Sequence, residues 1–481
     1  MRSSLHNKFA KNAIFSSNDD NAMIIRQRVV WFLLVSLSLS SAIAAASLSL
    51  DEAIHLALTQ NAQLQSSHDS VTSANISLEN AKSQFNIRLR PDMSGLLQSG
   101  DTAEQRYGVQ MSKKFAIGGE LGWQAATRID KSSTDSYRTE LTLNYTQPLL
   151  KGRGTLANTA ELTAAERQTR SQYRALLMAQ QQLLMNVATA YYGISRDQFL
   201  LDANYRAVER ARLLLQAAEA KLKVGMASKM DVFRAELQVL TAENGLVDAE
   251  ESLQNTRQHL NILMGIDVSS EFTLTTPLTY ESVDMIDQEA LIRHALESRL
   301  EMQNAYDNLR EAEERMRVAR QDQYPPLNLS LHYTLSGQGN GFQESLDLDD
   351  ADWGVGVNTS FDFNFTRQQG AYQQAQLTYN AAVRAIEAKE QNILLEVLRA
   401  INSVRQAQAR IGLQEQSVVQ AEKQLELAEL RYKKGLSDNL DVIDAEEAVL
   451  KAKTGYYSVV VQHILAKLTL KHATGALDIP F

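Results

Sequence analysis

The chain has 481 residues, no Cys, only six Pro and 22 Gly, and a formal net charge of −9. Without Cys there are no disulfides, no thiolate metal sites and no lipid anchor on an N-terminal Cys, and the acidic balance argues against nucleic acid, which needs basic patches. Few chain breakers and 44% apolar residues point to long uninterrupted elements instead of several ordinary domains.

From Met23 to Ala46 the sequence carries Arg26 and Arg28, an apolar run from Val29 to Leu39, and then Ala44-Ala45-Ala46. These are the three regions of a secretory signal. The run is too short, and too diluted by Ser, for a membrane anchor. Residues 1–22 are unusual ahead of such a signal, so the start is either Met1 or Met23. The mature chain is expected to begin near Ser47 with a charge of about −12. No later stretch reaches the ~18 apolar residues of a transmembrane helix. Export without disulfides fits a bacterial envelope protein.

From Leu50 to about Arg88, the positions Ala53, Ile54, Ala57, Leu58 and Leu64 recur at helical spacing, and Arg90-Pro91 is expected to end that helix. The period then changes to two. Tyr107, Val109 and Met111 alternate with polar residues, as do Leu121, Trp123 and Ala125, and then Leu141, Leu143 and Tyr145. These read as strands with one apolar and one polar face, and Leu89 to Gln98 as a weaker one. After Pro148 the helical period returns over about 153–223, interrupted only by Gly193, a run of ~105 Å at 1.5 Å per residue. A helix over about 228–264 follows, then an irregular stretch over 265–284, and a helix over about 287–323. Tyr324-Pro325-Pro326 breaks the pattern. Strands return at Leu327 to Leu335 and at Trp353 to Val357, with Phe361, Phe363 and Phe365 continuing the second. The chain closes with helices over about 367–434 and 438–474.

Two stretches are near copies: Lys223 to Val232, and Lys433 to Asp444. Each interrupts a long helix at a Gly, Gly225 or Gly435, suited to the C′ position where φ > 0 is wanted. Each then offers an N-cap, Ser228 or Asp438, with an Asp three residues later. Both read as tight αα-hairpin tips. Gly225 and Gly265 precede Gly435 and Gly475 by 210 residues, which marks an internal duplication. The first copy is longer by 25 residues between its Pro and its tip Gly, room for one extra β-hairpin over about 105–128 turning at Gly118-Gly119.

The fold class expected is therefore a mixed α+β membrane protein. Strands with alternating faces cross a bilayer only as part of a closed barrel, and Trp123, Tyr137, Tyr145, Trp353 and Phe361 are residues of an interfacial girdle. Four to six strands cannot enclose a lumen, so several protomers are required. A soluble half-buried sheet is the plainer account of the alternation alone. The expected domains are the extension and signal at 1–46, a first repeat at 47–265, a linker at 266–286, a second repeat at 287–475 and a tail at 476–481.

In its order of motifs the sequence resembles the TolC family of trimeric outer-membrane channels. The carriers are the opening Leu50-Asp51-Glu52-Ala53-Ile54-His55-Leu56-Ala57, then Leu143 to Leu150, the two tips, and Leu470 to Gly475. The resemblance implies a homotrimer whose β-barrel lies in outer-membrane lipid and continues as a periplasmic α-helical coiled-coil barrel. It also implies a tip that docks on a periplasmic adaptor and on an inner-membrane pump, either a resistance-nodulation-division (RND) pump or an ABC transporter. Docking falls on Gly225, Lys229, Gly435 and Ser437. In the family each repeat usually gives two strands, and the extra hairpin departs from that. The family's gate tyrosine matches Tyr432, its two aspartate rings Asp441 and Asp444, and the partner aspartate of the first repeat Asp231. The gate arginine falls on Ser437, leaving Lys229, Arg234 or Lys434 to replace it. Read from the residues alone, Asp441 and Asp444 stand at i and i+3 on one helix face, and threefold symmetry would gather six carboxylates at one axis. Simple stabilisation of a helix N-terminus, about 0.3–1 kcal/mol per acid, accounts for the same residues.

Nothing points to an enzyme or to a cofactor. Eight His are scattered, and His55, His68, His259, His294, His463 and His472 form no ligand-spaced pair. Gly118-Gly119 lacks the Lys-Ser/Thr of a phosphate loop, and no Gly-x-Ser-x-Gly occurs. Three functions remain: an efflux duct for small molecules, the outer-membrane component of a type I protein secretion system, and a coiled-coil adhesin. The duplicated strand–helix plan disfavours the third.

Overall fold

The computed structural model describes residues 46–98, 102–131, 136–282, 287–360 and 364–477. The chain divides into two compact units, one of Met1–Ser49 with Ser269–Pro277, the other of Leu50–Val268 with Leu278–Phe481. The smaller unit holds two short strands, β1 (Ala46–Leu48) and β6 (Phe272–Leu274), paired in parallel. A strand thus lies inside the 265–284 stretch expected to be irregular. It needs a partner distant in sequence, which no local pattern announces.

In the larger unit, one helix was expected from Leu50 to Arg88, and two are found: α1 (Leu50–Gln60) and α2 (Ala62–Ser83). Asn61 separates them. Its Oδ1 accepts the N–H of Leu64 at 3.0 Å and its Nδ2 donates to the Leu263 carbonyl at 2.9 Å. The helix also ends earlier than Pro91 suggested. Pro91 sits inside β2 (Arg88–Gln98), the first edge strand of the sheet, where a missing N–H is tolerated. The same break recurs later in the chain, as α6 (Gln288–Ser298) and α7 (Leu300–Gln321) stand where one helix was expected. Here the separating residue is Arg299, buried and paired with Glu301 at 2.5 Å and with Glu396.

The long elements fall close to expectation. A short α3 (Thr155–Asn158) precedes α4 (Ala160–Lys223), 64 residues long. Then come α5 (Lys229–Met264), α8 (Thr366–Lys433) and α9 (Leu440–Ala473). Buried residues on α8 such as Ile393, Val397, Ala400, Val404, Ala407 and Ile411 step by three and four, the spacing of one helix face. α4 pairs with α5 and α8 with α9, each pair a long antiparallel hairpin.

The remaining strands are β3 (Thr102–Lys114), β4 (Glu120–Lys131), β5 (Ser136–Pro148), β7 (Leu327–Gly339) and β8 (Asp350–Thr359). With β2 they form one six-stranded antiparallel sheet in the order β2-β3-β4-β5-β7-β8. The extra hairpin is β3–β4, turning over 115–119. Phe365 does not continue the last strand. It immediately precedes α8, with φ −86° and ψ 4°, while Phe361 and Phe363 lie outside the described residues.

Register separates the two faces of the sheet. One cross-strand row runs Leu89, Met111, Trp123, Leu143, Tyr333, Trp353, and the next Leu121, Tyr145, Leu331, Val355. The opposite face carries Arg90, Gln110, Gln124, Thr142, Thr334 and Asp352 in one row. Much of the apolar face is exposed, with Met93 76% exposed, Trp353 72% and Val355 62%, while residues 341–347 cover one end, where Ser345 Oγ lies 2.8 Å from Thr139 Oγ1.

Candidate functional site at the paired hairpin tips

Both tips begin with the same helix ending. Gly225 has φ 76° and Gly435 φ 71°, where a side chain would be strained. Gly225 N–H donates to the Leu222 carbonyl and Met226 N–H to that of Lys221, and in the second tip Gly435 and Leu436 donate to Tyr432 and Arg431. Each is a Schellman motif, satisfying carbonyls that the helix end leaves free.

The helix starts differ. In the first tip Ser228 caps α5 with a complete capping box: Ser228 Oγ accepts Asp231 N–H at 3.2 Å, and Asp231 Oδ2 accepts Ser228 N–H at 2.8 Å. In the second, Asp438 was expected as N-cap, but Asn439 holds that position and makes no side-chain cap. The Asn439 amide, fully buried, instead donates to the Asp231 carbonyl at 2.6 Å. Asp438, one residue earlier, accepts Leu440 N–H at 3.2 Å.

Three further contacts tie the tips together. Arg234 reaches Asp438 at 3.5 Å and its own-helix Asp231 at 3.9 Å. Lys221 Nζ donates to the Tyr432 carbonyl and lies 3.3 Å from the centroid of the Tyr432 ring. Met226 Cε stands 4.0 Å from where a Cβ on Gly435 would be. Tyr432 is buried with Leu214, Ala428, Val442 and Ala445.

The electrostatics follow from these contacts. Asp231 is held below the usual carboxylate range, first by the Ser228 N–H, with its hydroxyl, Arg234 and Lys221 helping against the effect of burial. Burial pushes the Tyr432 phenol up and the Lys221 ammonium down, the latter countered by Asp231. On α9, Glu446 is 4% exposed and burial pushes its carboxyl up to about 7, although Arg210 stands 3.5 Å away.

Of the residues singled out from sequence, the structure brings Tyr432 and Asp231 into one cluster through Lys221. Asp441 and Asp444 are exposed on α9 and, among the described residues, form no ion pair; their neighbours Val442 and Ala445 point into the cluster. Gly225, Lys229 and Gly435 are exposed and Ser437 is half-buried. Arg234 is the candidate cation that reaches the cluster, while Lys229 and Lys434 are exposed. Sequence reasoning missed Lys221, Asn439, Arg210 and Glu446. Glu446 alone left a trace, a charge in the apolar spacing Val442, Ala445, Val449.

The described residues hold no group of three or more His, Cys, Asp and Glu able to bind a metal, and no helix among them is long and apolar enough to cross a membrane. The family described as Outer membrane efflux protein matches residues 53–266 and 291–476, well over half of the chain, and the protein belongs to that family. It is an outer-membrane transport protein of TolC type, with its helical part in the periplasm. It is 27% identical over 357 residues to the outer membrane protein TolC of Vibrio cholerae, covering 73% of this chain and 80% of that one. It is 22% identical to the toluene efflux pump outer membrane protein TtgC of Pseudomonas putida, covering 78% of each. Its fold is similar to the crystal structure of VceC from Vibrio cholerae, with a TM-score of 0.68 at 20% identity over 89% of this chain and 96% of that one.

Proposed function

We propose that the protein is the exit duct of a tripartite efflux system. Three copies close a barrel in the outer membrane, and their helices continue it as a tunnel that receives small molecules from an inner-membrane pump and a periplasmic adaptor. The observation that carries this reading is the six-stranded sheet, whose apolar face exposes Leu89, Met93, Leu143, Tyr333, Trp353 and Val355 and whose edge strands β2 and β8 pair with no further strand among the described residues. In lipid an open edge leaves backbone groups unsatisfied, and closure with neighbouring copies removes it. Three copies of six strands give eighteen, a number that leaves an aqueous lumen. A trimer of this chain is thus wider at the barrel than two strands per repeat would make it.

The two halves are read as copies of one unit, 47–265 and 287–475, joined by the linker 266–286. Helices of 11 and 22 residues open both halves, and left-handed Gly residues recur at 225 and 265, then at 435 and 475. Tyr432 and Asp231 are assigned to the periplasmic gate, Asp441 and Asp444 to its mouth, and Gly225, Lys229, Gly435 and Ser437 to the docking surface. The exposure of Asp441 and Asp444 supports the mouth, since a carboxylate ring attracts cations only while unpaired. Replacing Asp441 and Asp444 together by Asn is expected to weaken cation preference in single-channel recordings; unchanged selectivity removes them from the pore.

The pump is identified by crosslinking. Lys229 is exposed at the first tip and the chain lacks Cys, so Lys229→Cys carries a single photocrosslinker. Capture of an adaptor with an RND pump in living cells is the expected result. Capture of an ABC exporter would make the protein the outer-membrane component of a type I secretion system.

A further inference from the structure

Residues 278–282 cross the α8–α9 hairpin without regular secondary structure. Three side chains hold them there. Leu278 packs on Ile411 of α8 and on Val459 and Val460 of α9. The Tyr280 ring meets the His463 ring of α9 at 71°, with the two centroids 5.0 Å apart. Glu281 pairs with Lys467 at 3.4 Å, but its side chain is 81% exposed, and such a surface pair adds little. The attachment therefore rests on Leu278 and Tyr280. His463 is fully buried, and neither of its ring nitrogens has a hydrogen-bond partner. A neutral imidazole already leaves one N–H and one lone pair unsatisfied there; a proton would leave two N–H donors and a charge. Among the described residues no carboxylate offsets that charge. Lys467, one turn on, opposes it, while Glu415 of α8 acts on Tyr456, two turns earlier on α9. Burial first, and Lys467 second, thus hold the imidazole below its ordinary value of 6.5. The pull of the Tyr280 ring on a cation is smaller than the cost of burying an unpaired ion.

We propose that residues 278–282 are a pH-sensitive strap on the α8–α9 hairpin, latched while His463 is neutral and released when its imidazole takes up a proton. Lifting Tyr280 opens the ring nitrogens to water, which solvates the imidazolium. The released ring takes up its proton near 6.5 and the latched ring only at lower pH, so the strap is held above that value and loses its hold as pH falls below it. Leu278 leaves with Tyr280, and Ile411, Val459 and Val460 lose part of their cover. The strap lies within one chain and depends on neither the barrel, the pump nor the cargo.

The test is a nitroxide label on Thr279→Cys in the full chain in detergent, read by electron paramagnetic resonance. Thr279 is exposed between the two anchoring residues, and the chain has no Cys of its own. The ratio of mobile to restrained label should rise about tenfold from about pH 7.5 to about 5.5, as one proton taken up near 6.5 implies. His463→Phe keeps a ring against Tyr280 but cannot titrate, and should abolish the rise. Glu281→Gln should keep it, and Tyr280→Ala should give a mobile label at both values. No rise in the labelled chain, a rise confined to the carboxylate range near about 4, or a rise that survives His463→Phe overturns the proposal. If circular dichroism shows His463→Phe misfolded, Glu281→Gln decides: a rise kept there sustains the proposal, and a rise lost there assigns the response to the ion pair and overturns it. The channel reading stands or falls separately, on conductance and crosslinking.

Discussion

The two hairpin tips share a helix ending and differ in how the next helix starts. The first is closed by its own residues, since Ser228 and Asp231 bond reciprocally within four positions. The second has no side-chain cap at Asn439, whose amide is spent on the backbone of the first tip. So the first tip folds on local information, and the second is finished only when it docks. The hairpins also share an apolar cluster, in which Leu214 of the first packs with Ala428, Tyr432, Val442 and Ala445 of the second.

Four measurements break or sharpen that contrast. The largest effect is expected at Glu446, which belongs to the second hairpin and faces Arg210 of the first. Its carboxyl is raised from 4.5 to about 7, so the unfolded chain gives up this proton at lower pH than the folded one. Stability therefore falls as pH rises across that window and levels off above it, by an amount on the order of 3 kcal/mol. Thermal unfolding of Glu446→Gln should lack this slope. Next is Asn439→Ala, which removes a 2.6 Å bond from a fully buried site and should cost about 1–3 kcal/mol. Hydrogen exchange is expected to accelerate at the start of α9 while α5 stays protected. Loss of protection in both would show that the tips order as one unit.

Ser228→Ala should cost about 1 kcal/mol, as the loss of a helix cap usually does. Exchange should then rise over the first turn of α5 and leave α9 little changed. The smallest effect is the acid limb of the same contact. Asp231 is held below the usual carboxylate range, so its contribution is present above that range and is lost as pH falls through its lowered value. The first tip should therefore begin to exchange faster only in strongly acidic solution, whereas the Glu446 dependence extends through neutrality.

The elements themselves were legible in the sequence where a period was sustained. Strands β3, β4, β5 and β7 follow the alternation of Tyr107 to Met111, Leu121 to Ala125, Leu141 to Tyr145 and Leu327 to Leu335. The long helices followed from the scarcity of Pro and Gly. The breaks at Asn61 and Arg299 were not legible. Neither residue is a breaker, and their reasons lie elsewhere in the chain: Asn61 reaches the Leu263 carbonyl, and Arg299 pairs with Glu396.

By itself the sequence determined the tips, because a Gly at φ > 0 and a Ser with an Asp three residues on are local devices that act within one turn. It also determined which face of the sheet is apolar, since the pleat alternates side chains whatever the partner strand. Only the tertiary structure decided which groups meet at the paired tips. Lys221 reaches Tyr432 across 211 positions and Asn439 reaches Asp231 across 208. Such contacts depend on how two long hairpins lie side by side. Register over that distance is fixed by the whole packed face, and no single residue type records it.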